Sequence, residues 1–160
     1  MNQGDSIIST EARLKAIEDR LALQDVVNAY CTAVDKLSDI EGLVGLFTAD
    51  AVFDLSAIHL PRVEGHAGIR GFFEPVFETM THHAHYWSNF RIDRLQQNEA
   101  SISAYVVGMG RARDGNSVTV YVHYFLDCVR AAGGWKIKHY RIVPRLPLPS
   151  SLTEIHGEHS

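Results

Sequence analysis

One carboxylate, Asp35, stands where local physics disfavours it and could therefore serve acid–base chemistry. It falls in the predicted last turn of the first helix. There the negative end of the helix dipole opposes an anion by roughly 0.3–1 kcal/mol. Such a residue is either exposed to solvent without consequence or held by a partner for a function. The residues alone leave both interpretations open.

Histidines cluster where the third predicted helix passes into the first long strand. Strand alternation places His83, His85, Trp87 and Asn89 on one face. Two histidines on one face could bind a metal ion, but the ordinary zinc spacings and a nearby acidic or thiol ligand are absent from this segment. A histidine with one ring nitrogen held and the other facing a cavity is a candidate base. We therefore predict a base here, and no metal.

Two polar residues on later strands have open interpretations. His123 is a lone polar residue in the apolar run from Val118 to Phe125. It is either a hydrogen-bonded core or interface histidine, or, if its face turns inward, it lines a pocket with Thr119 and Tyr121. Arg141 belongs either to the same pocket or to a surface ion pair.

The elements that must position these residues begin with helices. Ser9 or Thr10 is a good N-cap for the first helix. Its apolar residues recur at mostly helical spacing and predict one buried face: Ile17, Leu21, Leu23, Val27, Tyr30 and Val34. A capping box at 38–41 starts a short second helix. An apolar stripe from Ile69 to Met80 predicts a third helix, which Pro75 should kink or split.

Long strands follow the helices. Residues 86–95, 100–113, 117–130 and 135–144 read as strands, with hairpin turns at 114–116 and 131–134. Strands this long must coil. We predict an α+β fold in which the N-terminal helices pack in the concave face of a strongly curved antiparallel or mixed sheet, a cone-shaped α+β barrel. Residues 1–146 form one domain and 147–160 a flexible tail.

Composition narrows the class of protein. The 160 residues are 46% hydrophobic and 21% charged, with a net charge of −4 and no basic stripe, which argues against nucleic acid as a partner. No apolar run approaches the roughly 20 residues that cross a bilayer. The polar N-terminus does not resemble a signal peptide. Cys31 and Cys128 form no redox or metal motif, so we expect reduced thiols and a cytoplasmic location.

Several segments together resemble the SnoaL-like branch of the nuclear transport factor 2-like superfamily. The segments are YCTAVD at 30–35, LFTADAVF at 46–53, GHAGI at 65–69, HYWSN at 85–89 and GWKI at 134–137. The resemblance covers about Ala12 to Arg145 and is specific for the fold. It is poorly specific for function, because this scaffold carries dehydratases, dehydrochlorinases, isomerases, cyclases, epoxide hydrolases and non-catalytic subunits.

The resemblance also implies roles for particular residues. Asp35 and His85 fall on the catalytic dyad of scytalone dehydratase, hexachlorocyclohexane dehydrochlorinase and the bile-acid dehydratase, and Tyr30 on a pocket tyrosine of some dehydratases. Two departures leave the substrate open. The second histidine of scytalone dehydratase is missing from VGMG at 107–110, and Ile142-Val143 stands where the dehydrochlorinase has an arginine.

These observations predict a cofactor-free lyase or isomerase acting on a small apolar cyclic molecule such as a steroid, terpenoid or polyketide. The expected pocket walls are Phe53, Phe72, Val76, Met80, Trp87, Tyr121 and His123. Apolar residues on both faces of the last strands predict a homodimer or higher homo-oligomer through the outer sheet face. The alternative is a non-catalytic ligand-binding or assembly module, such as a dioxygenase small subunit.

Overall fold

The computed structural model describes residues 8–156, a helical N-terminal half followed by a long sheet. The helices are α1 (Thr10–Lys36), α2 (Ile40–Val44), α3 (Gly65–Thr79) and α4 (Ser151–His156), with a 3₁₀ turn at Ser56–Ile58. The strands are β1 (Phe47–Asp54), β2 (Arg62–Glu64), β3 (Met80–Leu95), β4 (Glu99–Ala112), β5 (Ser117–Ala131) and β6 (Gly134–Pro144). The order of helices and long strands predicted from the sequence is therefore present.

Helix α1 is capped as expected but buries a narrower face. The Ser9 side chain accepts a hydrogen bond from the Ala12 N–H at 3.2 Å, and Leu37, the residue that follows the helix, has the left-handed conformation. The expectation that Ile17 and Leu21 belong to the buried face is wrong, since they are 57% and 56% exposed. The buried face begins at Asp19 and continues through the second half of the helix.

The third helix and the first long strand meet at a different point from the one predicted. Helix α3 continues through Pro75 without being split, and it ends at Thr79. Met80, expected as a helical residue, is the first residue of β3. The strand begins six residues before the predicted Tyr86, because the histidine segment pairs with β4 along its whole length. The histidines therefore lie within the sheet.

The sheet is mixed and open, in the order β2-β1-β6-β5-β4-β3. Strand β1 runs parallel to β6, and the other neighbouring strands are antiparallel. The α+β class with helices against a mixed sheet is confirmed. In the described residues β2 and β3 remain separate edges, so the architecture is an open curved sheet and not a closed barrel.

The C-terminal segment is folded onto the domain as far as residue 156. Helix α4 buries Leu152 and Ile155 in the same core as α1 and the concave face of the sheet. The predicted flexible tail at 147–160 is therefore wrong for residues 151–156, because two apolar side chains one helical turn apart anchor this segment. Residues 157–160 and 1–7 lie outside the described part.

Candidate functional site

A cavity of about 100 Å³ lies between the helices and the concave face of the sheet. Its walls are mainly apolar, and its polar groups are imidazoles and phenols. The apolar lining includes Val34, Phe53, Leu55, Phe72, Phe73, Val76, Val118, Val120, Ile142 and Leu152, and the polar lining is Tyr30, His83, His85, Tyr124, Tyr140 and His156. An apolar pocket with few convergent polar groups is the usual form of a small-molecule site.

Asp35 and His85 are joined by two hydrogen bonds at the edge of this cavity. Asp35 Oδ1 lies 2.5 Å from His85 Nδ1, and Asp35 Oδ2 accepts the His85 backbone N–H at 3.0 Å. Both side chains are largely shielded, with 29% of Asp35 and 14% of His85 exposed. The two contacts offset the unfavourable position of Asp35 at the end of α1. They also orient the ring, so that Nδ1 carries the proton and Nε2 holds a lone pair.

A glycine on the neighbouring strand makes room for this ring. Gly108 pairs with His85 across β3 and β4. A Cβ added at Gly108 would lie 3.3 Å from both Cδ2 and Nε2 of His85, and 3.3 Å from Val120 Cγ2. Any side chain here would press on the ring edge that carries Nε2. Gly108 therefore leaves the Nε2 edge of the ring uncovered.

His83 brings a second imidazole into the cavity. Its Nδ1 lies 3.4 Å from the Val34 carbonyl oxygen, and its ring centre lies 5.8 Å from that of His85. Burial lowers the pKa of His83 to about 4, and the neighbouring His85 adds to the effect. His83 is therefore neutral at pH 7, with Nδ1–H donated to Val34 and Nε2 left as an acceptor.

Three buried tyrosines supply the remaining polar surface. The Tyr140 ring centre lies 5.0 Å from both Tyr30 and Tyr124. Burial raises the pKa of all three phenols above the ordinary value. A hydrogen bond with Tyr140 lowers the pKa of Tyr30 and of Tyr124 in part, whereas the same two bonds raise the pKa of Tyr140 further. They remain protonated throughout the physiological range and can donate hydrogen bonds to a ligand oxygen.

The structure brings some of the predicted site residues together and separates others. Tyr30, His85, Phe53, Phe72 and Val76 line the cavity, and Asp35 stands behind His85. That Asp35, His85 and Tyr30 are catalytic remains a prediction. Met80, Trp87, Tyr121 and His123 are absent from the lining, so the prediction that they form pocket walls is corrected.

The two β3 residues that were predicted to line the pocket, Met80 and Trp87, make their contacts elsewhere. Met80 is buried in the core beside Gly110, where an added Cβ would come within 2.6 Å of its Cε. The Trp87 indole N–H donates to Asn28 Oδ1 at 2.8 Å, over the side of α1. After Trp87 the alternation fails, because Asn89 has a positive φ and the register with β4 shifts between Ser88 and Arg91.

The two β5 residues that were predicted to line the pocket, Tyr121 and His123, lie on the outer face of the sheet. Val118, Val120 and Tyr124 point into the cavity, so alternation turns Tyr121 and His123 outward. His123 lies between Tyr105, which it contacts edge-to-face, and Phe125, which it contacts at a tilt, with ring-centre distances of 4.7 and 4.1 Å. Arg141 covers Phe125 from the same face. Neither His123 nor Arg141 is part of the cavity.

Sequence reasoning missed several residues of the lining. Tyr124 and Tyr140 are ordinary core positions by pattern, and their sharing of one cavity depends on the β5–β6 register. The alternation that begins at Val118 carried a partial signal, since it groups Tyr124 with Val118 and Val120, but it does not show which face of β5 turns inward. Leu152 carried none, because its segment contains several prolines and resembles a free tail.

Three features of the described residues concern metal binding, membrane crossing and thiol chemistry. In residues 8–156 no group of three His, Cys, Asp or Glu side chains is arranged to hold a metal ion. No helix in this range is long and apolar enough to cross a bilayer. Cys31 and Cys128 are both buried free thiols.

Comparison with known proteins shows the family of the chain. A family model described as a SnoaL-like domain matches residues 15–141. The chain belongs to the SnoaL-like family. The matched residues include most of α1 and continue through the sheet into β6. Among proteins with curated descriptions, none matches this SnoaL-like chain in sequence.

Solved structures share the fold. A provisionally named aromatic ring hydroxylase from Novosphingobium aromaticivorans is 50% identical, with a TM-score of 0.82 over 83% of this chain and 93% of that one. A provisionally named scytalone dehydratase from the same organism is 22% identical (TM-score 0.75, 86% of this chain and 89% of that one). A hexachlorocyclohexane dehydrochlorinase from Novosphingobium barchaimii is 19% identical (TM-score 0.72, 86% and 94%). At these identities the last two structures show that the fold is shared.

Proposed function

We propose that this SnoaL-like protein is a cofactor-free lyase or isomerase that removes a proton from a small apolar cyclic substrate. The observation that carries the proposal is the pairing of Asp35 and His85 at the edge of an apolar cavity, with 2.5 Å between Oδ1 and Nδ1. A base must reach its proton by hydrogen-bond geometry before its pKa matters. His85 lines the cavity, whereas Asp35 lies behind it, so the imidazole is the base and the carboxylate its orienter.

The chemistry follows from the orientation of the ring. His85 Nε2 takes a proton from a carbon next to a carbonyl or a leaving group, and the C–H electron pair moves to the carbonyl oxygen or expels the leaving group. Asp35 stabilises the imidazolium that results. In an isomerisation the imidazolium returns the proton to another carbon, and in a dehydration it protonates the departing hydroxyl. No external oxidant or reductant is required.

Tyr30 is placed to assist at the substrate oxygen. Its hydroxyl is buried in the cavity, and burial raises its pKa well above 10, so it remains a donor. A donor aimed at an oxygen that gains negative charge is worth about 2–4 kcal/mol in comparable sites. Tyr140 supports this role through its hydrogen bond to Tyr30.

Cavity size constrains the substrate. The cavity volume of about 100 Å³ is below the roughly 300–1,000 Å³ of pockets that hold drug-sized ligands. A single small ring fits more readily than a steroid, which would require α4 to move aside. The proposal includes a cytoplasmic setting, in which Cys31 and Cys128 stay reduced.

The test is a panel of cyclic ketones, β-hydroxy ketones and halogenated rings, followed for elimination or isomerisation by ultraviolet absorbance and NMR. Turnover of one member by the wild-type chain, reduced by about 10²–10⁴ in His85→Ala, supports the proposal. The matched control is His59→Ala, which changes an exposed histidine outside the cavity lining. Equal turnover by the wild type and His85→Ala would contradict it.

A second candidate function is favoured by the 50% identical relative, whose provisional name is that of an aromatic ring hydroxylase. This chain would then be an assembly module, like the small structural subunit of a ring-hydroxylating dioxygenase. Such a role requires a larger partner chain. Light scattering of the purified chain, alone and after incubation with lysate, separates the two functions, because the enzyme is expected to remain a complex of identical chains.

A further inference from the structure

Helix α1 exposes an apolar stripe on the side away from the core. The stripe consists of Leu14, Ile17 and Leu21, whose exposed fractions are 55%, 57% and 56%. Their spacing of three and four residues places them on one face. At 3.6 residues per turn this face is centred about 150° around the helix from the buried face that holds Leu23 to Val34. The stripe is therefore separate from the contacts that hold α1 to the sheet.

The first part of α1 also extends beyond the body of the domain. Every residue from Thr10 to Glu18 is exposed, a length of about two and a half turns. Isolated helices shorter than about 12–15 residues are marginal in water. A helical extension with large apolar side chains is consequently expected to be covered by another surface. Residues 1–7 offer only Met1 and Ile7 as large apolar side chains, too few for this purpose.

The charged residues on either side of the stripe indicate which kind of surface covers it. With Leu14, Ile17 and Leu21 as heptad positions a, d and a, Arg13 and Arg20 occupy the g positions. Glu18 and Asp25 occupy the e positions, and all four charged residues are exposed. One edge of the stripe is thus basic and the other acidic.

This arrangement is self-complementary in one orientation. In a parallel pair of helices each g residue faces the e residue five positions later in the partner, so Arg13 meets Glu18 and Arg20 meets Asp25. In an antiparallel pair the basic edge of one helix would lie against the basic edge of the other, and the two acidic edges would also meet, so that like charges would repel each other. An apolar stripe with matched flanking charges satisfies the requirement of a twofold interface, in which the same surface binds itself.

We propose that the stripe of Leu14, Ile17 and Leu21 binds the same stripe on a second copy of this chain, with the two α1 helices parallel about a twofold axis. The interface is distinct from the outer sheet face and from the cavity. It does not depend on the proposed enzymatic function.

The first test compares Ile17→Glu with Ala16→Glu by analytical ultracentrifugation of the full chain. The two variants carry the same new charge on neighbouring residues, but Ala16 lies on the opposite side of the exposed helix. Ile17→Glu should weaken dimerisation at least about tenfold, as expected when a charge enters an apolar seam. Ala16→Glu should dimerise like the wild type. Circular dichroism melting confirms that both variants fold.

The second test fixes the orientation. Arg13→Glu and Glu18→Arg should each weaken the dimer, and the double variant should restore it. Leu21→Cys should form an interchain disulfide with itself, since equivalent residues meet in a parallel pair and the native thiols are buried. A monomeric wild-type chain overturns the proposal. So does a dimer that survives Ile17→Glu but is lost in Tyr121→Glu, which would locate the interface on the outer sheet face.

Discussion

At the residue scale, the orientation of His85 depends on a carboxylate that α1 supplies from outside the cavity. Asp35 accepts both the ring N–H and the backbone N–H of His85. This double contact fixes the position of the strand as well as the tautomer of the ring. The residue that looked unfavourable at the end of a helix is thus held by donors from β3.

Asp35→Asn should reverse the tautomer of His85, because the amide can donate to Nδ1 where the carboxylate only accepted. Nitrogen-15 NMR of the imidazole should show the proton on Nδ1 in the wild type and on Nε2 in the variant. Asp25→Asn is the control, since it lies exposed on the same helix beside Asn28. An unchanged His85 spectrum in Asp35→Asn would show that the carboxylate does not set the tautomer.

His83 should make the domain sensitive to acid. Its pKa is about 4 in the folded state and near 6.5 when unfolded. The unfolded chain therefore binds more protons than the folded chain between these two pH values. The contribution of His83 to stability is fully present above pH 6.5 and is lost as the pH falls towards 4. The resulting decrease in the free energy of unfolding approaches about 3 kcal/mol. Denaturant unfolding from pH 7 to 4 should show it, and His83→Phe should have a flatter profile.

At the element scale, β4 approaches β3 closely at two glycines that face the histidines. Gly108 and Gly110 pair with His85 and His83. A Cβ at Gly110 would lie 2.6 Å from Met80 Cε and 2.9 Å from His83 Cδ2. The close approach determines where both imidazoles sit.

Gly110→Ala should therefore destabilise the fold by about 1–3 kcal/mol, the usual cost of overpacking. Gly71→Ala is the matched control, because nothing lies within 4 Å of an added Cβ there and alanine is the better helix former. Urea unfolding measures both. Equal stability of Gly110→Ala and the wild type would mean that β4 relaxes without disturbing the histidines.

Helix α4 contributes Leu152 and His156 to the cavity lining. Ending the chain after Leu148 removes the buried Leu152 and Ile155, worth up to about 1.5–3 kcal/mol each. The truncated chain should melt at a lower temperature and bind apolar fluorescent dyes more strongly, because Leu152 lines the cavity. A truncated chain with unchanged dye binding would show that α4 does not control access.

The sequence patterns and the structure agree most closely where the pattern is strictly local. Helical spacing and strand alternation located the helices and the long strands. Alternation also separates Tyr124 from Tyr121 and His123, but it does not say which set faces inward, and the prediction chose the wrong set. They could not locate α4, whose two anchoring residues follow a proline-containing segment. They misassigned Ile17 and Leu21, because apolar spacing shows that a face exists but not which surface covers it. The pairing of Asp35 with His85 came only from resemblance, since the two residues are 50 apart in sequence.

At the scale of the whole molecule, two surfaces remain open to other chains. The outer face of the sheet carries a row of stacked groups, in which Arg145 covers Tyr105 and Arg141 covers Phe125. Association through this face remains a proposal. The α1 stripe lies on another side, so use of both surfaces would give an assembly larger than a dimer. Neither surface contributes a residue to the cavity lining.

The central claim, that His85 oriented by Asp35 abstracts a carbon-bound proton, is tested most directly by hydrogen exchange. Cyclic ketones of one small ring are incubated in deuterium oxide with the wild type, His85→Ala, Asp35→Asn and Asp25→Asn, and proton NMR follows exchange next to the carbonyl. We predict exchange with the wild type and Asp25→Asn, and a loss of about 10²–10⁴ in His85→Ala and Asp35→Asn. Equal exchange by all four proteins, or none above the uncatalysed rate with the wild type, would contradict the claim.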